Sequence, residues 1–169
     1  TDLCVESVRF LQKHYGRALL TPHLHKKYSN LVHHYQQKQL AESKATQYFE
    51  EMVHYYIVKR APDEAIHKMA GQYYDELAKL TKDADTALFN LRLCQVNIIK
   101  FLSKNDFSSA LNLCAEYLEA FDQNANVGRD MKISIAVQKI LCLIYLRRFD
   151  DDEAEKTVEY CLSLSEDGN

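Results

Sequence analysis

The chain has 169 residues, a net charge of −3, four Gly and two Pro, a length that favours one domain with a core large enough to stand without staples. A pI near 6.1 argues against a strongly basic nucleic-acid binder. No apolar run approaches the roughly 20 residues that span a bilayer, and nothing resembles a secretory leader.

With so few breakers, apolar residues recur at helical spacing almost throughout, and no alternating strand pattern of useful length occurs. Asp2 caps a first helix of about residues 3–20, with Cys4, Val8, Leu11, Tyr15 and Leu19 on one face. Thr21-Pro22 starts a second, because Pro is tolerated at the first helical position, where its missing N–H would be unpaired anyway. It carries Leu24, Tyr28, Leu31, Val32 and Tyr35 and fades near Leu40, and Ser43 is the best cap for a third helix of about 44–60. Ala61-Pro62-Asp63-Glu64 ends that helix and opens a fourth, which carries Ile66, Met69, Tyr73, Leu77 and Leu80.

Lys82 to Asp85 forms the next turn, and Leu88, Leu91, Cys94, Ile98 and Phe101 line a fifth helix. Asn105-Asp106 caps a sixth with Phe107, Ala110, Cys114, Leu118 and Phe121. Asp122 to Asp130 is a loop around Gly128. A seventh helix follows with Ile133, Val137, Ile140, Leu141, Ile144 and Tyr145, then a turn at Phe149 to Asp151, then an eighth with Ala154, Val158, Cys161 and Leu162. The expected fold is all-α. About eight antiparallel helices form four hairpins, roughly 1–41, 43–81, 83–122 and 129–165, in a single domain over 1–169 that is an α-solenoid or a compact bundle. The chain reads as excised from a longer protein.

Ala65, Ala110 and Ala154 are spaced by 45 and then 44 residues, each in the first turn of the second helix of an expected hairpin. A small residue at that point permits close backbone approach, the mark of stacked helical pairs. On these residues the chain resembles the tetratricopeptide repeat and its longer relatives. The match covers about 91–122, with Phe101 on the first helix, Asp106-Phe107 at the turn and Ala110 three residues after the aromatic. Asn105 stands where that family usually has Gly, no Pro closes the unit, and Phe149 to Ala154 is a spacing of five rather than three. The period also exceeds the family's roughly 34 residues. The resemblance implies a protein-binding scaffold.

The five cysteines are widely spaced, with no C-x-x-C pair, and read as core thiols in a reducing compartment, cytoplasm or nucleus. His23, His25, His33 and His34 lack the three- or four-residue spacing of metal ligands on one helix face, so no metal and no cofactor is expected. There is no glycine-rich phosphate loop and no nucleophile motif, so no enzyme activity is expected. Residues 1–60 carry nine Lys/Arg against five Asp/Glu, and residues 61–169 twelve against nineteen. Lys26, Lys27, Lys38, Lys44, Lys59 and Arg60 mark a basic strip, of which Lys26, Lys27, Lys59 and Arg60 are the candidate contacts, and this leaves nucleic acid as an alternative partner. Eleven Tyr and no Trp make tyrosine the notable excess. In the adjacent pairs Tyr55-Tyr56 and Tyr73-Tyr74, two neighbours on a helix cannot both face one core spot, so one of each is expected near a groove or the surface. The expected function is a non-enzymatic interaction scaffold that docks a peptide, a helix or a partner subunit through these residues. Homodimerisation within a larger assembly is the alternative of the same kind, and no membrane partner is expected.

Overall fold

The computed structural model describes residues 2–17, 22–59, 64–82, 84–125 and 127–166, the side chains of 16–17, 56–59 and 166 excepted. Among these are seven α-helices and no strand. In chain order they are α1 (Asp2–Arg17), α2 (Pro22–Lys59), α3 (Glu64–Leu80), α4 (Ala87–Leu102), α5 (Phe107–Asp122), α6 (Arg129–Tyr145) and α7 (Asp152–Glu166). The expected turns at Thr21 and at Ala61 to Asp63 lie outside the described residues.

The break expected at Ser43 is absent: α2 runs unbroken for 38 residues, about 57 Å at 1.5 Å per residue. A mid-helix Ser costs a few tenths of a kcal/mol, and the flanking Gln39-Leu40-Ala41-Glu42 and Lys44-Ala45 are good helix formers. Tertiary packing settles the matter, since Ala41 and Ala45 are buried against α3 and α4 while Ser43 faces out.

Each half of α2 serves a different neighbour. The first half runs antiparallel to α1, with Asp2 bonded by Gln39, Gln12 donating to Ser29 at 3.0 Å, and Tyr15 stacked on Tyr28 at 5.3 Å. The core of this hairpin is thin, with Val5 and Val32 its buried apolar residues. Cys4, expected inside, is exposed, because Val5 is the residue turned toward α2. The second half of α2 packs with α3 and α4 around Met52, Ile66, Leu77, Phe89 and Val96.

α4 is buried on two sides. Phe89, Val96 and Ile99 join the cluster with α2 and α3, while Leu91, Cys94 and Ile98 join a second cluster with α5, α6 and α7. Each such side chain removed from water contributes about 1.5–3 kcal/mol, so α4 binds the two halves together. Its buried Gln95 and Asn97 are paired: Gln95 accepts from Arg92 at 2.8 Å and donates to Ser134 of α6 at 2.8 Å, and Asn97 donates to the Tyr117 hydroxyl at 2.8 Å. Caps set the ends. Thr86 accepts from the Phe89 amide at 3.2 Å, and Asp106 from the Ser109 amide at 3.1 Å.

The turns after α4 and α6 share one geometry. Asn105 (φ 58°) and Arg147 (φ 56°) are left-handed, and in each the next amide returns to a carbonyl five residues back: Asp106 to Phe101 at 3.1 Å and Arg148 to Leu143 at 2.8 Å. This is the helix-ending motif that glycine serves best and asparagine next best. A phenylalanine follows two residues on in both turns, Phe107 and Phe149. Ala110 then comes five residues after Asn105, whereas Ala154 comes seven after Arg147. A two-residue insertion before α7 therefore accounts for the unequal aromatic-to-alanine spacing. Ala110 and Ala154 are buried at their helix contacts, but Ala65 is exposed.

Candidate functional site

Of the tyrosines singled out by the sequence, Tyr55, Tyr73 and Tyr74 lie within the seam of α2, α3 and α4. Tyr73 stacks on Tyr48 of α2, centroids 3.8 Å apart, and donates its hydroxyl to Glu51 at 2.5 Å. Burial, reinforced by that bond, pushes the Tyr73 hydroxyl up to about 12. Tyr48 donates to Glu76 at 2.5 Å, and Lys44 closes the cluster with a 2.8 Å bond to the same carboxylate. Tyr74, about 100° further round α3, faces α4 instead and carries the Lys100 ammonium 5.0 Å above its ring. Tyr55 is half-buried against the same core cluster. Adjacent tyrosines thus point apart, as expected, but Tyr73 and Tyr74 reach two neighbouring helices rather than a helix and open solvent. The Tyr56 side chain lies outside the described residues.

Lys26 and Lys27 are far from the helix position of Lys59. Lys26 and Lys27 are exposed on the first half of α2 beside His23, His33 and His34. Lys59 is the last residue of the same helix, about 48 Å from Lys27 along its axis. Its side chain and the whole of Arg60 lie outside the described residues.

A different surface stands out by exposure. Among the described residues every exposed large hydrophobic lies on the first or the last hairpin, with none between Ala41 and Ala136. The N-terminal hairpin has Leu3, Phe10 and Leu40. The last hairpin has the rest: Val137, Leu141, Ile144 and Tyr145 along one side of α6, Phe149 in the turn, and Val158 and Leu162 on α7, each between 43% and 59% exposed. Half-exposed apolar side chains clustered on one face mark an interaction surface, whereas single scattered ones do not.

Of these, Ile144, Phe149 and Val158 line a groove of about 560 Å³ between α6 and α7, with Ile140 and Leu143 beside them; Leu141 adjoins it one helical turn before Tyr145. Asp150, Asp151, Glu155 and Glu159 form its rim. Val137, Leu141, Ile144, Val158 and Leu162 follow the apolar helical pattern expected of a core face, yet they are exposed. The buried set on α6 is instead Ile135, Ala136, Cys142 and Leu143, and on α7 it is Ala154 and Thr157. A signal was present in the sequence. From Ile133 to Tyr145, α6 is apolar almost all round, a pattern that belongs to a helix covered on every side.

On the opposite side of α7 a larger cleft of about 830 Å³ is lined by Asp122, Lys139, Arg148, Glu153 and Tyr160, among others. Several of its charges are paired. Lys139 pairs with Glu153 at 3.0 Å, Arg148 with Asp151 at 2.6 Å, and Asp122 accepts from Lys132 at 2.7 Å and Tyr160 at 2.6 Å. Burial alone would raise the Asp122 carboxyl, but these two bonds hold it below its ordinary value. Groups paired in this way hold helices in register. Among the described residues no three His, Cys, Asp or Glu side chains gather as a metal site would require. No described helix is long and apolar enough to cross a membrane.

Fold and surface together define an all-α protein with an apolar groove at its last hairpin. Comparison of the chain with protein families, with curated proteins and with solved structures gives no match in any of the three.

Proposed function

We propose that the chain is a protein-interaction module without catalytic activity of its own, working in a reducing compartment and docking a helix on the α6–α7 groove. The observation that carries this reading is the half-exposed apolar face of Leu141, Ile144 and Phe149 beside Val158, rimmed by acids. Docking an apolar helix face there removes these side chains from water, and the rim charges select the partner's flanks. In this reading the hairpins from α2 onward stack in the tetratricopeptide manner. Support comes from the repeated left-handed turns at Asn105 and Arg147 and from α4 packing on both α2 and α3. The tyrosines then organise the stack, and the partner contact falls on its last hairpin. Nucleic-acid binding through Lys26 and Lys27 is the weaker proposal, since Lys59 of the same strip sits at the far end of α2.

Affinity capture from cells, comparing wild type with Leu141→Glu/Ile144→Glu, tests the proposal. A hot-spot pair costs at least about 2 kcal/mol, so genuine partners should fall about 30-fold in the variant. Unchanged capture by a folded variant contradicts it, as does loss of partners on changing Lys26 and Lys27 to Gln with the groove intact.

A further inference from the structure

Within the chain, the face that follows a left-handed turn is already seen covered once. Phe107, two residues after Asn105, is stacked by Tyr145 from the end of α6, centroids 4.6 Å apart and planes 9° from parallel. The covering helix is the first of the next hairpin. Phe149, two residues after Arg147, is the counterpart of Phe107 and is 58% exposed. The last hairpin therefore offers the kind of face on which one further helix docks.

The chain carries a helix suited to that place. Leu3 and Phe10 are 79% and 70% exposed. Seven residues apart, they share the side of α1 that points away from buried Val5. Charge favours the same pairing. Residues 2–40 hold six Lys/Arg against two Asp/Glu, while residues 146–166 hold three against seven. Arg9 and Lys13 are exposed beside Phe10, together with the single acid Glu6, and Glu155 and Glu159 are exposed at the groove. One contact would cover both apolar ends at once. A symmetric contact of two α6–α7 faces would set like acids against each other, an arrangement that costs energy.

We infer that copies of the chain associate head to tail, the outer face of α1 seating in the α6–α7 groove of the next copy. Such a contact is heterologous, so every added copy leaves one free helix and one free groove, and assembly continues until a ring closes. The inference rests on the groove being the docking surface.

Sedimentation velocity with three proteins tests it: wild type, Leu3→Glu/Phe10→Glu and Leu141→Glu/Ile144→Glu, each first checked for helicity and melting. Wild type should show a ladder of species in steps of 19.6 kDa that grows with concentration. Each variant alone should stay monomeric. An equimolar mixture of the two should give dimers and nothing larger, since each retains the end the other has lost. If the α6 variant melts early, Glu155→Lys/Glu159→Lys replaces it and should shift the ladder toward monomer with the core untouched. A wild type that stays monomeric, an α1 variant that still dimerises, or a mixture that forms no dimer overturns the inference. The monomeric result leaves the docking proposal standing if Leu141→Glu/Ile144→Glu still loses its captured partners. If capture is also unaffected, both fail.

Discussion

The ring of Tyr73 lies flat against that of Tyr48, centroids 3.8 Å apart and planes 5° from parallel, so α3 meets α2 through an aromatic pair. Hydroxyl bonds to Glu51 and Glu76 tie the same pair to both helices. Tyr73→Ala should therefore cost about 2–4 kcal/mol, mostly from lost ring contact. Tyr73→Phe should cost under about 1 kcal/mol, since it removes a single bond to an exposed carboxylate. Urea melts of the two variants check this. Equal effects would mean the stack contributes nothing.

The same cluster sets a pH dependence with two arms. Tyr73 holds its proton more tightly when folded, pushed from 10.0 up to about 12 by burial and by the Glu51 acceptor. Its contribution is complete below pH 10 and is lost as pH rises from 10 toward 12. Glu51 and Glu76 move the other way, held below the ordinary 4.5 chiefly by bonds from Tyr73 and Lys44. Their contribution is present above pH 4.5 and fades as pH falls below it. Melting temperature against pH should drop at both ends, and Tyr73→Phe should flatten the alkaline arm.

Arg147 is a side-chain-bearing residue in the left-handed region, where a Cβ costs roughly 1–2 kcal/mol. Arg147→Gly should stabilise by about 0.5–1 kcal/mol once the entropy of glycine in the unfolded chain is subtracted. Asn105→Ala, at the equivalent turn, should destabilise by about 1 kcal/mol. Chemical denaturation decides between these signs. A destabilised Arg147→Gly would show that Arg147 serves through its side chain.

Helical spacing and the shortage of Gly and Pro made the all-α class legible, and α3, α4 and α5 carry the buried residues the pattern selected, Ile66, Leu77, Ile98, Cys114 and Leu118 among them. The continuity of α2 was not legible, because Ser43 is a good cap in isolation and only the burial of Ala41 and Ala45 shows it is interior. The left-handed turn was half legible: Asn105 sits where a glycine was expected, and its φ of 58° explains why a glycine would serve. The groove was missed because periodicity identifies apolar residues without saying which are covered. The pattern selects Ile140, Leu141 and Ile144, whereas the buried residues Cys142 and Leu143 lie on other sides of a helix that is apolar almost all round. Where the two rings of an adjacent pair go depends on the neighbours: helices α2 and α4 flank α3 and give Tyr73 and Tyr74 separate partners, which the sequence alone does not specify.

Thiol reactivity tests the core assignment. Cys94, Cys114 and Cys142 are buried, Cys161 is half-buried and Cys4 is exposed. Burial pushes the Cys94 thiol up to about 12, and the bond shared with Cys142, together with burial, pushes Cys114 up as well. A thiol reagent at neutral pH should modify Cys4 at once, Cys161 slowly and the other three only in denaturant. Three or more fast thiols in the native protein would contradict the helix faces described above.

Site-specific photo-crosslinking in cells tests the docking surface most directly. A photoreactive amino acid would be placed singly at Ile144 or Phe149, at Tyr55 or Tyr74, and at the exposed control Asn112 on α5. Covalent adducts, whether to another protein or to a second copy, should form from positions 144 and 149 and be absent from 55, 74 and 112. Adducts confined to 55 and 74, or none from the groove in a folded protein, would contradict the assignment of the α6–α7 face as the surface through which this protein works.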